Sequence, residues 1–482
     1  SGTTHNVFGI QVGVGITIAI RSSQHTERQL LYYRVPEFWR KTEKLAFLEK
    51  AGSLHSVEWL KLEPDEKNTW FTEGIQPEFQ MFLPLGTKET KTERTRDIQT
   101  IFRNYGGGVK TNRDEWAYDF NQRNLVDKVE HFIATYNSEV DRWRRRGSRT
   151  TTVDDFVTYD DTKIKWSGSL KSYLERSQYI EFASDKIRHS LYRPFCKQWL
   201  YFERGLVERV YQFPQMLPTN TTEAENIVIC LSAIGTSKLF HCLATNIISD
   251  IHLTGDTQCF PYYTYNEDGS NRRENITDWA LTQFQAKYGS EVTKWDIFHY
   301  VYAILHHPQY RERYAENLKR DLPHIPLLHK KGVFLTAVVI GKYLMDIHLN
   351  YEQAREFPLK WKENQNVPFS WHVEKMRLTS DQTSVIVNES LTLTGIPQEC
   401  FQYRLGNRSA LDWVIDQYQV REDKRSGIVS DPNQLYYEEY IVRLIRKVIT
   451  VSVETVRLVN ELAQAVKMED WMSETEETHS IL

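Results

Sequence analysis

The chain lacks the sequence signatures of the commonest catalytic sites. It contains no G-x-x-x-x-G-K-[ST] phosphate-binding loop and no G-x-S-x-G nucleophile elbow. A Gly-Val-Gly stretch at 13–15 lies inside a predicted strand instead of following one, so it is not a dinucleotide-binding fingerprint. The residues themselves therefore give no evidence for ATP hydrolysis, ester hydrolysis or nicotinamide chemistry.

Cysteine is also scarce, with 5 residues scattered over 482 and no C-x-x-C pair. A scattered, odd set of cysteines predicts a reducing, cytoplasmic location instead of a disulfide framework. No apolar run reaches the roughly 18 residues that cross a bilayer, so no membrane partner is expected. Two histidine pairs, His306-His307 and His324/His329, lack companion carboxylates or cysteines, and no metal site is expected.

An excess of charge of one sign is absent as well. Lys plus Arg number 60 and Asp plus Glu number 64, which gives a formal net charge of −4. A nucleic-acid site would therefore have to be a local basic patch. Aromatic residues are abundant instead, with 26 Tyr, 22 Phe and 13 Trp. They indicate either large aromatic cores or a surface that stacks on bases or sugars.

The length and the hydrophobic periodicity predict an α+β protein of roughly two to four domains. Near the start, branched aliphatic residues alternate with other residues at Val12, Val14, Ile16, Ile18 and Ile20. This period of two predicts a buried strand at 10–21, paired in a hairpin with 29–35. Further strands are predicted within 226–254 and 371–395.

Several helices are predicted from apolar spacing and from capping residues. The longest internal one covers about 123–146, where apolar residues recur at intervals of three and four. The spacing of Thr293 and Asp296, like that of Ser409 and Asp412, is typical of a capping box. The remaining predicted helices cover about 36–52, 278–288, the stretch from Pro308, 332–347 and 436–462.

Two basic stretches in the first third of the chain predict anion contacts. In the first, Lys110, Asn112 and Arg113 follow three glycines, whose backbone amides can approach an anion closely. An ordinary turn with solvated charges is the alternative. The second is a set of arginines that share one face at the end of the predicted long helix: Arg142, Arg145 and Arg149. These suit phosphate contacts, although they would also stabilise a helix C-terminus without any partner.

Two polar turns later in the chain carry paired cations. They contain Asn271, Arg272 and Arg273 in one case and Lys424 and Arg425 in the other. Arginine commonly reads guanine and asparagine commonly reads adenine, so these turns are candidates for base contacts. A solvated turn with acidic neighbours is the alternative for each. Together, the four stretches predict a long anionic partner such as a nucleic acid.

Long segments of the chain resemble one known family. They include "VPEFWRK", "GVKTNRDEWAYDF", "IRHSLYRPF", "DIFHYVYAILHHPQYRERYAENLKRDLP" and "LGNRSALDWVIDQY". These segments are similar to the C-terminal region of type ISP restriction–modification enzymes, over 1 to about 465. In that family, one polypeptide carries a nuclease, a helicase-type translocase, a coupler, an N6-adenine methyltransferase and a target recognition domain.

The resemblance implies a division of the chain into four parts. Residues 1–48 would be a β-hairpin from the end of a Rossmann-like methyltransferase, and 49–330 the main part of the recognition domain. Residues 331–466 would be its C-terminal β and helical part, and 467–482 an acidic, flexible tail. The Asn-Pro-Pro-Tyr and glycine motifs of the methyltransferase do not occur here. The chain alone is therefore expected not to catalyse a reaction, and S-adenosylmethionine, ATP and Mg²⁺ would serve the upstream domains of the same polypeptide.

The resemblance also suggests a contact with the adenine that such methyltransferases flip out of the duplex. Asn6 and Phe8 would lie near that base, because an aromatic ring restores part of the stacking lost on extrusion. A buried phenylalanine at a strand start is the alternative for Phe8.

Two other function classes stay open at the level of sequence. A carbohydrate-binding or carbohydrate-active protein would use the aromatic residues as platforms, and catalysis would require two carboxylates facing a cleft. A structural scaffold between other domains of a large enzyme would need neither DNA nor sugar.

Overall fold

The computed structural model describes residues 6–8, 14–23, 27–36, 39–65, 68–91, 98–147, 150–236 and 238–471. Its contacts divide the chain into two compact units, Ser1–Ile75 and Gln76–Leu482. The three clusters of buried apolar side chains found in the described residues all lie in the second unit.

The described residues of the first unit form strand β1 (Leu30–Tyr32), helix α1 (Lys41–Ala51), a 3-10 helix at Leu54–Ser56 and strand β2 (Leu60–Leu62). The two strands pair in antiparallel orientation. Helix α1 ends at Gly52, whose φ of 59° lies in the left-handed region that glycine tolerates. The predicted end of this helix is confirmed, and its start lies five residues after Pro36.

The predicted hairpin of 10–21 with 29–35 is wrong in its described part. Residues 14–21 form no strand, and the side chains of Ile16, Ile18 and Ile20 are 75–82% exposed. Alternation alone does not form a strand, because its backbone groups need a paired neighbour and its large side chains need cover. The strand β1 pairs with β2 instead. Val12 lies outside the described residues.

The second unit is a mixed arrangement of helices and small sheets. Its helices are α2 (Lys88–Lys91), α3 (Asp114–Ala117), α4 (Gln122–Arg144), α5 (Val153–Phe156), α6 (Gly168–Glu175), α7 (Phe213–Met216), α8 (Asn220–Glu225), α9 (Asp278–Tyr288), α10 (Lys294–His306), α11 (Pro308–Arg313), α12 (Ala315–Leu318), α13 (Lys331–Leu349), α14 (Ala410–Gln417) and α15 (Tyr440–Ala465). Its strands are β3 (Leu83–Pro84), β4 (Gly106–Gly107), β5 (Tyr118–Asp119), β6 (Ile187–Arg193), β7 (Cys196–Tyr201), β8 (Val228–Ser232), β9 (Cys242–Thr245), β10 (Ile248–Ser249), β11 (Thr257–Pro261), β12 (Tyr263–Thr264), β13 (Arg273–Glu274), β14 (His324–Ile325), β15 (Lys360–Glu363), β16 (Arg377–Leu378), β17 (Ser384–Ile386), β18 (Leu391–Thr394), β19 (Arg404–Leu405), β20 (Arg408–Ser409), β21 (Arg421–Glu422) and β22 (Val429–Ser430).

Three four-stranded sheets organise these strands. Their orders are β10-β6-β7-β5, β4-β11-β8-β9 and β15-β18-β17-β16. All pairings within them are antiparallel except that of β10 with β6. Two-stranded pairs β12-β13, β14-β3, β19-β20 and β21-β22 lie outside these sheets. The α+β class predicted from the sequence is confirmed.

The helix α4 packs its predicted apolar face into one of the three cores. Its buried side chains are the seven that the spacing indicates: Leu125, Val129, Phe132, Ile133, Tyr136, Val140 and Trp143. They meet Leu170 and Leu174 of α6 and Ile187 of β6 in the same cluster. The sequence thus predicts both the helix and its buried face.

A second core surrounds α10 and α13, which pack against each other. Thr293 caps α10 by accepting the backbone N–H of Asp296, as the capping box predicts. The sequence analysis predicts no membrane segment, yet α13 is, among the described residues, the one helix long and apolar enough to cross a bilayer. In the structure, it buries Phe334, Ala337 and Leu344 against α10.

Aromatic residues mainly fill these interiors. The largest side chains without exposed surface include Tyr136, Tyr201 and Tyr302. Ring pairs such as Tyr288 with Phe334, whose centroids are 4.0 Å apart, pack inside the core of α10 and α13. The aromatic content is thus explained largely by packing.

Two of the predicted domain boundaries differ from the divisions that the contacts show, and the assignment of the four parts stays a prediction. The boundary at 48/49 falls inside α1, and the contacts instead separate the units after Ile75. No separation occurs at 330/331, because α13 packs against both α10 and α15 and joins the parts on either side. Within the predicted tail of 467–482, Met468–Asp470 form a 3-10 helix and Trp471 is buried in the core of α10 and α13, so this part is not a flexible tail, and 472–482 lie outside the described residues.

Candidate nucleic-acid interface

The three glycines at 106–108 form a buried part of a sheet. Gly106 and Gly107 are β4 and pair with β11, and the Gly108 N–H donates to the Thr257 carbonyl. A Cβ on Gly108 would lie 2.5 Å from the Asp250 carbonyl oxygen, so only glycine fits there. The prediction that these amides approach an anion is therefore wrong, because the glycines serve close packing of backbones.

A buried charged network adjoins this sheet edge. The carboxyl of Asp250 accepts hydrogen bonds from Arg193, at 2.8 Å, and from the Tyr118 hydroxyl, at 3.2 Å. Burial raises the pKa of Asp250 to about 7, although the Arg193 guanidinium opposes that rise. Neighbouring Val109 forms a backbone bridge with Asp250, so this network fixes the strand that leads to Lys110.

Lys110 lies directly opposite Arg209 across an isolated antiparallel bridge. Each backbone N–H donates to the carbonyl of the other residue, at 2.9 and 2.8 Å. Residues in such a pair carry their side chains on the same face, and like charges placed there repel each other. Among the described residues, neither cation forms an ion pair with a carboxylate. A phosphate between these two cations would relieve the repulsion. Sequence reasoning missed Arg209, because only the tertiary pairing brings it to Lys110.

The guanidinium of Arg113 is buried and has no exposed surface. It donates to the carbonyls of Gly205, at 3.1 Å, and Leu206, at 2.8 Å, and to the Ser167 hydroxyl. Burial lowers its pKa to about 10. The prediction that Arg113 contacts DNA is therefore wrong, because the side chain is occupied inside the protein.

The arginines at the end of α4 fold back onto the protein surface. Arg142 donates to Glu139 and to the Phe156 carbonyl, and its guanidinium lies 4.3 Å from the centre of the Phe156 ring. The Nε of Arg145 donates to the carbonyl of Asp141. These contacts agree with the alternative that the arginines stabilise the C-terminus of the helix without a partner. Both arginines are nevertheless exposed to solvent. Arg149 lies outside the described residues.

The turn at 271–273 projects from the hairpin of β12 and β13. Arg272 pairs with Glu225 at 2.7 Å, and this hydrogen bond raises the pKa of Arg272. Arg273 is exposed on β13. Asn271 has a φ of 55°, and Asn112 in the first stretch has one of 58°. Asparagine tolerates this left-handed conformation, which gives both residues a structural reason for being asparagine.

Lys424 and Arg425 lie at the exposed tip of the hairpin formed by β21 and β22. Asp423 shapes the tip by accepting the backbone N–H groups of Arg425 and Ser426, at 3.1 and 2.8 Å, and these bonds lower its pKa. Ile428 anchors the hairpin against the core of α4. The tip thus presents two cations on a fixed backbone.

The residues predicted to contact a flipped base lie in the first unit. The side-chain oxygen of Asn6 accepts the backbone N–H of Phe8 at 2.8 Å. Phe8 is 61% exposed and belongs to no strand, so the alternative of a buried phenylalanine at a strand start is excluded. The assignment of both residues to a base contact stays a prediction.

An exposed edge strand adds residues that the sequence analysis did not single out. All four residues of β15 are exposed, including Lys360, Trp361 and Lys362. The exposed polar stretch continues through Asn364 and Asn366. Lysines on an edge strand also prevent pairing with other sheets, so their presence alone does not indicate a ligand. In the sequence, the run "KWKENQN" has no alternation of apolar and polar residues, and this is the signal that could have indicated an exposed segment.

Comparison with known proteins identifies the chain. A family model described as the Type ISP C-terminal specificity domain matches residues 100–444. The chain belongs to this family. No curated protein gives a match. In the part of the chain that the structure describes, no group of three or more His, Cys, Asp or Glu side chains could hold a metal ion.

Three solved structures are similar to this specificity domain over nearly its whole length. A nuclease-deletion mutant of the Type ISP enzyme LlaGI with a DNA substrate mimic shares 34% identity over 91% of this chain, with a TM-score of 0.78. A DrdV–DNA complex shares 32% sequence identity over 95% of this chain, with a TM-score of 0.79. The Type ISP enzyme LlaBIII bound to DNA shares 30% identity over 88% of this chain, with a TM-score of 0.76. The chain spans 39%, 45% and 27% of those proteins, respectively.

Proposed function

We propose that this chain recognises a specific sequence in double-stranded DNA. The observation that carries the proposal is the similarity to three proteins solved with DNA, which extends over 88–95% of this chain. Membership of a specificity-domain family supports the same function. The chain would thus select the site on which other domains of a longer enzyme act.

The candidate cations divide into two proposed roles. Lys110 and Arg209 would bind the DNA backbone, because they face each other without a described carboxylate between them. Arg142 and Arg145 would add phosphate contacts at the end of α4. The turns that carry Asn271 to Arg273 and Lys424 to Arg425 would approach base edges, since each projects on a hairpin.

The surrounding enzyme is part of the same proposal. An upstream N6-adenine methyltransferase would use S-adenosylmethionine, and the translocase and nuclease would require ATP and Mg²⁺. We assign no residue of this chain to those cofactors. Asn6 and Phe8 would contact the extruded adenine only together with that methyltransferase, and the whole enzyme would act in the cytoplasm on cellular or invading DNA.

DNA binding by the 482-residue chain tests the proposal directly. Fluorescence anisotropy with a random-sequence duplex pool, followed by enrichment and sequencing, should give one preferred site. The affinity should fall with salt, by about 0.9 in log–log slope for each phosphate contact. Absence of any duplex binding at low salt, with the chain folded by circular dichroism, would show that this chain does not bind DNA by itself.

The cation pair provides a sharper test of the interface. The double variant Lys110→Ala/Arg209→Ala should reduce the magnitude of the salt slope by about 1.8 and weaken binding to all sequences alike. Arg457→Ala is the matched control, since Glu454 and Glu461 already neutralise this cation on α15. An unchanged slope in the double variant would remove the pair from the interface.

A further inference from the structure

A cavity of about 500 Å³ lies in the second unit, and its lining includes no residue of the turns proposed to read DNA bases. Residues of the loop after β8, of α11 and α12, of the β19–β20 hairpin and of α15 line it. Its apolar wall includes Leu239, Phe240 and Val459. A space of this size exceeds a single ion and suits a small organic molecule.

The wall contains an arginine, Arg311, whose terminal nitrogens donate no hydrogen bond to the residues that the structure describes. Arg311 donates its Nε to the carbonyl of Leu305 at 2.5 Å, which satisfies the end of α10. Within the described residues, its guanidinium forms no ion pair. Burial lowers the pKa of Arg311, as expected for a cation without a neighbouring carboxylate. Arg311 is half-buried, and arginines withdrawn from water are usually paired, so this one has capacity for an anion.

Three further cations surround the cavity. Lys238 donates to the Thr254 carbonyl, Lys319 pairs with Glu316, and Arg404 donates to the Asn407 carbonyl. The lining contains a single carboxylate among the described residues, that of Glu312. Cations therefore outnumber carboxylates in the lining by four to one.

Two polar atoms behind the wall also lack partners. The Tyr403 hydroxyl and the Nε2 of His306 are buried without a hydrogen bond among the described residues. Burial lowers the pKa of His306, so the ring is neutral, and its Nδ1–H donates to the Tyr302 carbonyl at 2.8 Å. Its Nε2 is then an acceptor, and the Tyr403 hydroxyl, which belongs to the same lining, can donate. Unsatisfied polar groups at a cavity wall are expected where a polar ligand completes the structure.

We propose that this cavity binds an organic phosphate, with the Arg311 guanidinium as the principal contact. The planar guanidinium forms two parallel hydrogen bonds to phosphate oxygens, and the rim cations balance a second negative charge. The apolar wall would cover the organic part of the ligand. The phosphate could belong to a free nucleotide or to the terminal phosphate of DNA, and both present the same chemistry.

Thermal unfolding with defined probes tests this site. Inorganic phosphate and adenosine monophosphate should each raise the melting temperature of the full chain above that in chloride at equal ionic strength, because a ligand of the folded state stabilises it. Arg311→Met should weaken the affinity for adenosine monophosphate by about tenfold or more. Lys342→Ala, which removes an exposed cation of α13 outside the cavity, should leave that affinity unchanged.

Further variants keep the test decisive. If Arg311→Met does not fold, Arg311→Lys retains the charge but loses the paired geometry, and Lys319→Ala/Arg404→Ala changes only the rim. Each should also weaken binding. The proposal is overturned if neither probe raises the melting temperature of the unaltered chain. It is also overturned if the probes raise the melting temperature of all variants by the same amount.

Competition distinguishes the two sources of phosphate. A 5′-phosphorylated duplex that displaces adenosine monophosphate, while the same duplex without that phosphate does not, would assign the site to a DNA end. Failure of both duplexes to displace it would assign the site to a free nucleotide. Sequence-specific binding, as proposed above, is measured separately with an unphosphorylated duplex. Either result of the competition therefore leaves that proposal unaffected.

Discussion

The guanidinium of Arg113 joins three separate segments of the second unit. It donates to two carbonyls that end the turn at 205–206 and to Ser167, whose hydroxyl also donates to Glu208. Without Arg113, the two carbonyls and the Ser167 hydroxyl would each be buried with fewer hydrogen-bond partners or with none. Charged hydrogen bonds in a dry interior are strong, and their loss leaves carbonyls unsatisfied.

Arg113→Met is therefore expected to destabilise the chain. The free energy of unfolding should fall by about 3 kcal/mol or more, since a buried hydrogen-bonded charge is removed and its partners stay behind. Urea unfolding monitored by tryptophan fluorescence measures this. Arg123→Met on the exposed side of α4 is the control and should change stability by less than about 0.5 kcal/mol. Equal effects of the two variants would show that the buried contacts contribute little.

His348 connects three core helices and makes stability depend on pH. Its Nδ1 lies 2.6 Å from the Tyr302 hydroxyl and its Nε2 lies 2.9 Å from the Thr455 hydroxyl. Burial, with Arg311 nearby, lowers its pKa from 6.5 to about 3. The unfolded chain therefore binds a proton below pH 6.5 that the folded chain does not, so stability falls as the pH falls from about 6.5 towards 3.

His348→Gln should make this dependence weaker. One such site contributes a slope of up to about 1.4 kcal/mol per pH unit between its two pKa values. Urea unfolding at pH 7.5, 6.0 and 5.0 should show a slope reduced by up to that amount, with the rest due to other buried histidines such as His241. Tyr302→Phe loses the same hydrogen bond without removing a titrating group, and its slope should match the unaltered chain. A slope that His348→Gln leaves intact would contradict the assignment.

Exposure of the candidate site residues could be predicted from the sequence only in part. Lys424 and Arg425 are exposed because a short local hairpin with Gly427 places them at its tip. Arg113 looks the same in sequence, yet its partners are the carbonyls of residues 205 and 206, more than 90 positions away. Arg209 was missed for the same reason, since its pairing with Lys110 is also long-range. Local pattern does not encode such contacts.

At the scale of elements, helices were predictable and the first strand was not. The buried face of α4 follows from its own spacing, and the caps of α9, α10 and α14 follow from residues within one turn. A helix satisfies its backbone internally, so local sequence decides it. A strand depends on a partner, and 14–21 has none among the described residues.

The crossing of α10 and α13 depends on Gly341. A Cβ at this position would lie 2.0 Å from the His299 carbonyl oxygen and 3.1 Å from the Ala303 side chain. Gly341→Ala should therefore separate the two helices and lower the free energy of unfolding by about 1–3 kcal/mol, despite the better helix propensity of alanine. Chemical unfolding measures the change.

Gly332 provides a matched comparison in the first turn of the same helix. Nothing lies within 4 Å of a Cβ built there, and the residue is exposed. Gly332→Ala should raise stability by up to about 1 kcal/mol through helix propensity alone. The two glycine variants should thus have opposite signs. The same sign in both would show that the helix crossing adapts without cost.

For the whole molecule, the contacts separate Ser1–Ile75 from Gln76–Leu482, and all three buried apolar clusters of the described residues lie in the second unit. A chain of 76–482 should therefore fold and unfold with the same thermal midpoint as the full chain, because no cluster includes a residue before Phe79. Its binding of a hydrophobic dye should fall, since Ile16, Ile18 and Ile20 are 75–82% exposed in the first unit. Scanning calorimetry and dye fluorescence on both chains measure these effects. A lower midpoint for 76–482, or unchanged dye binding, would contradict this expectation.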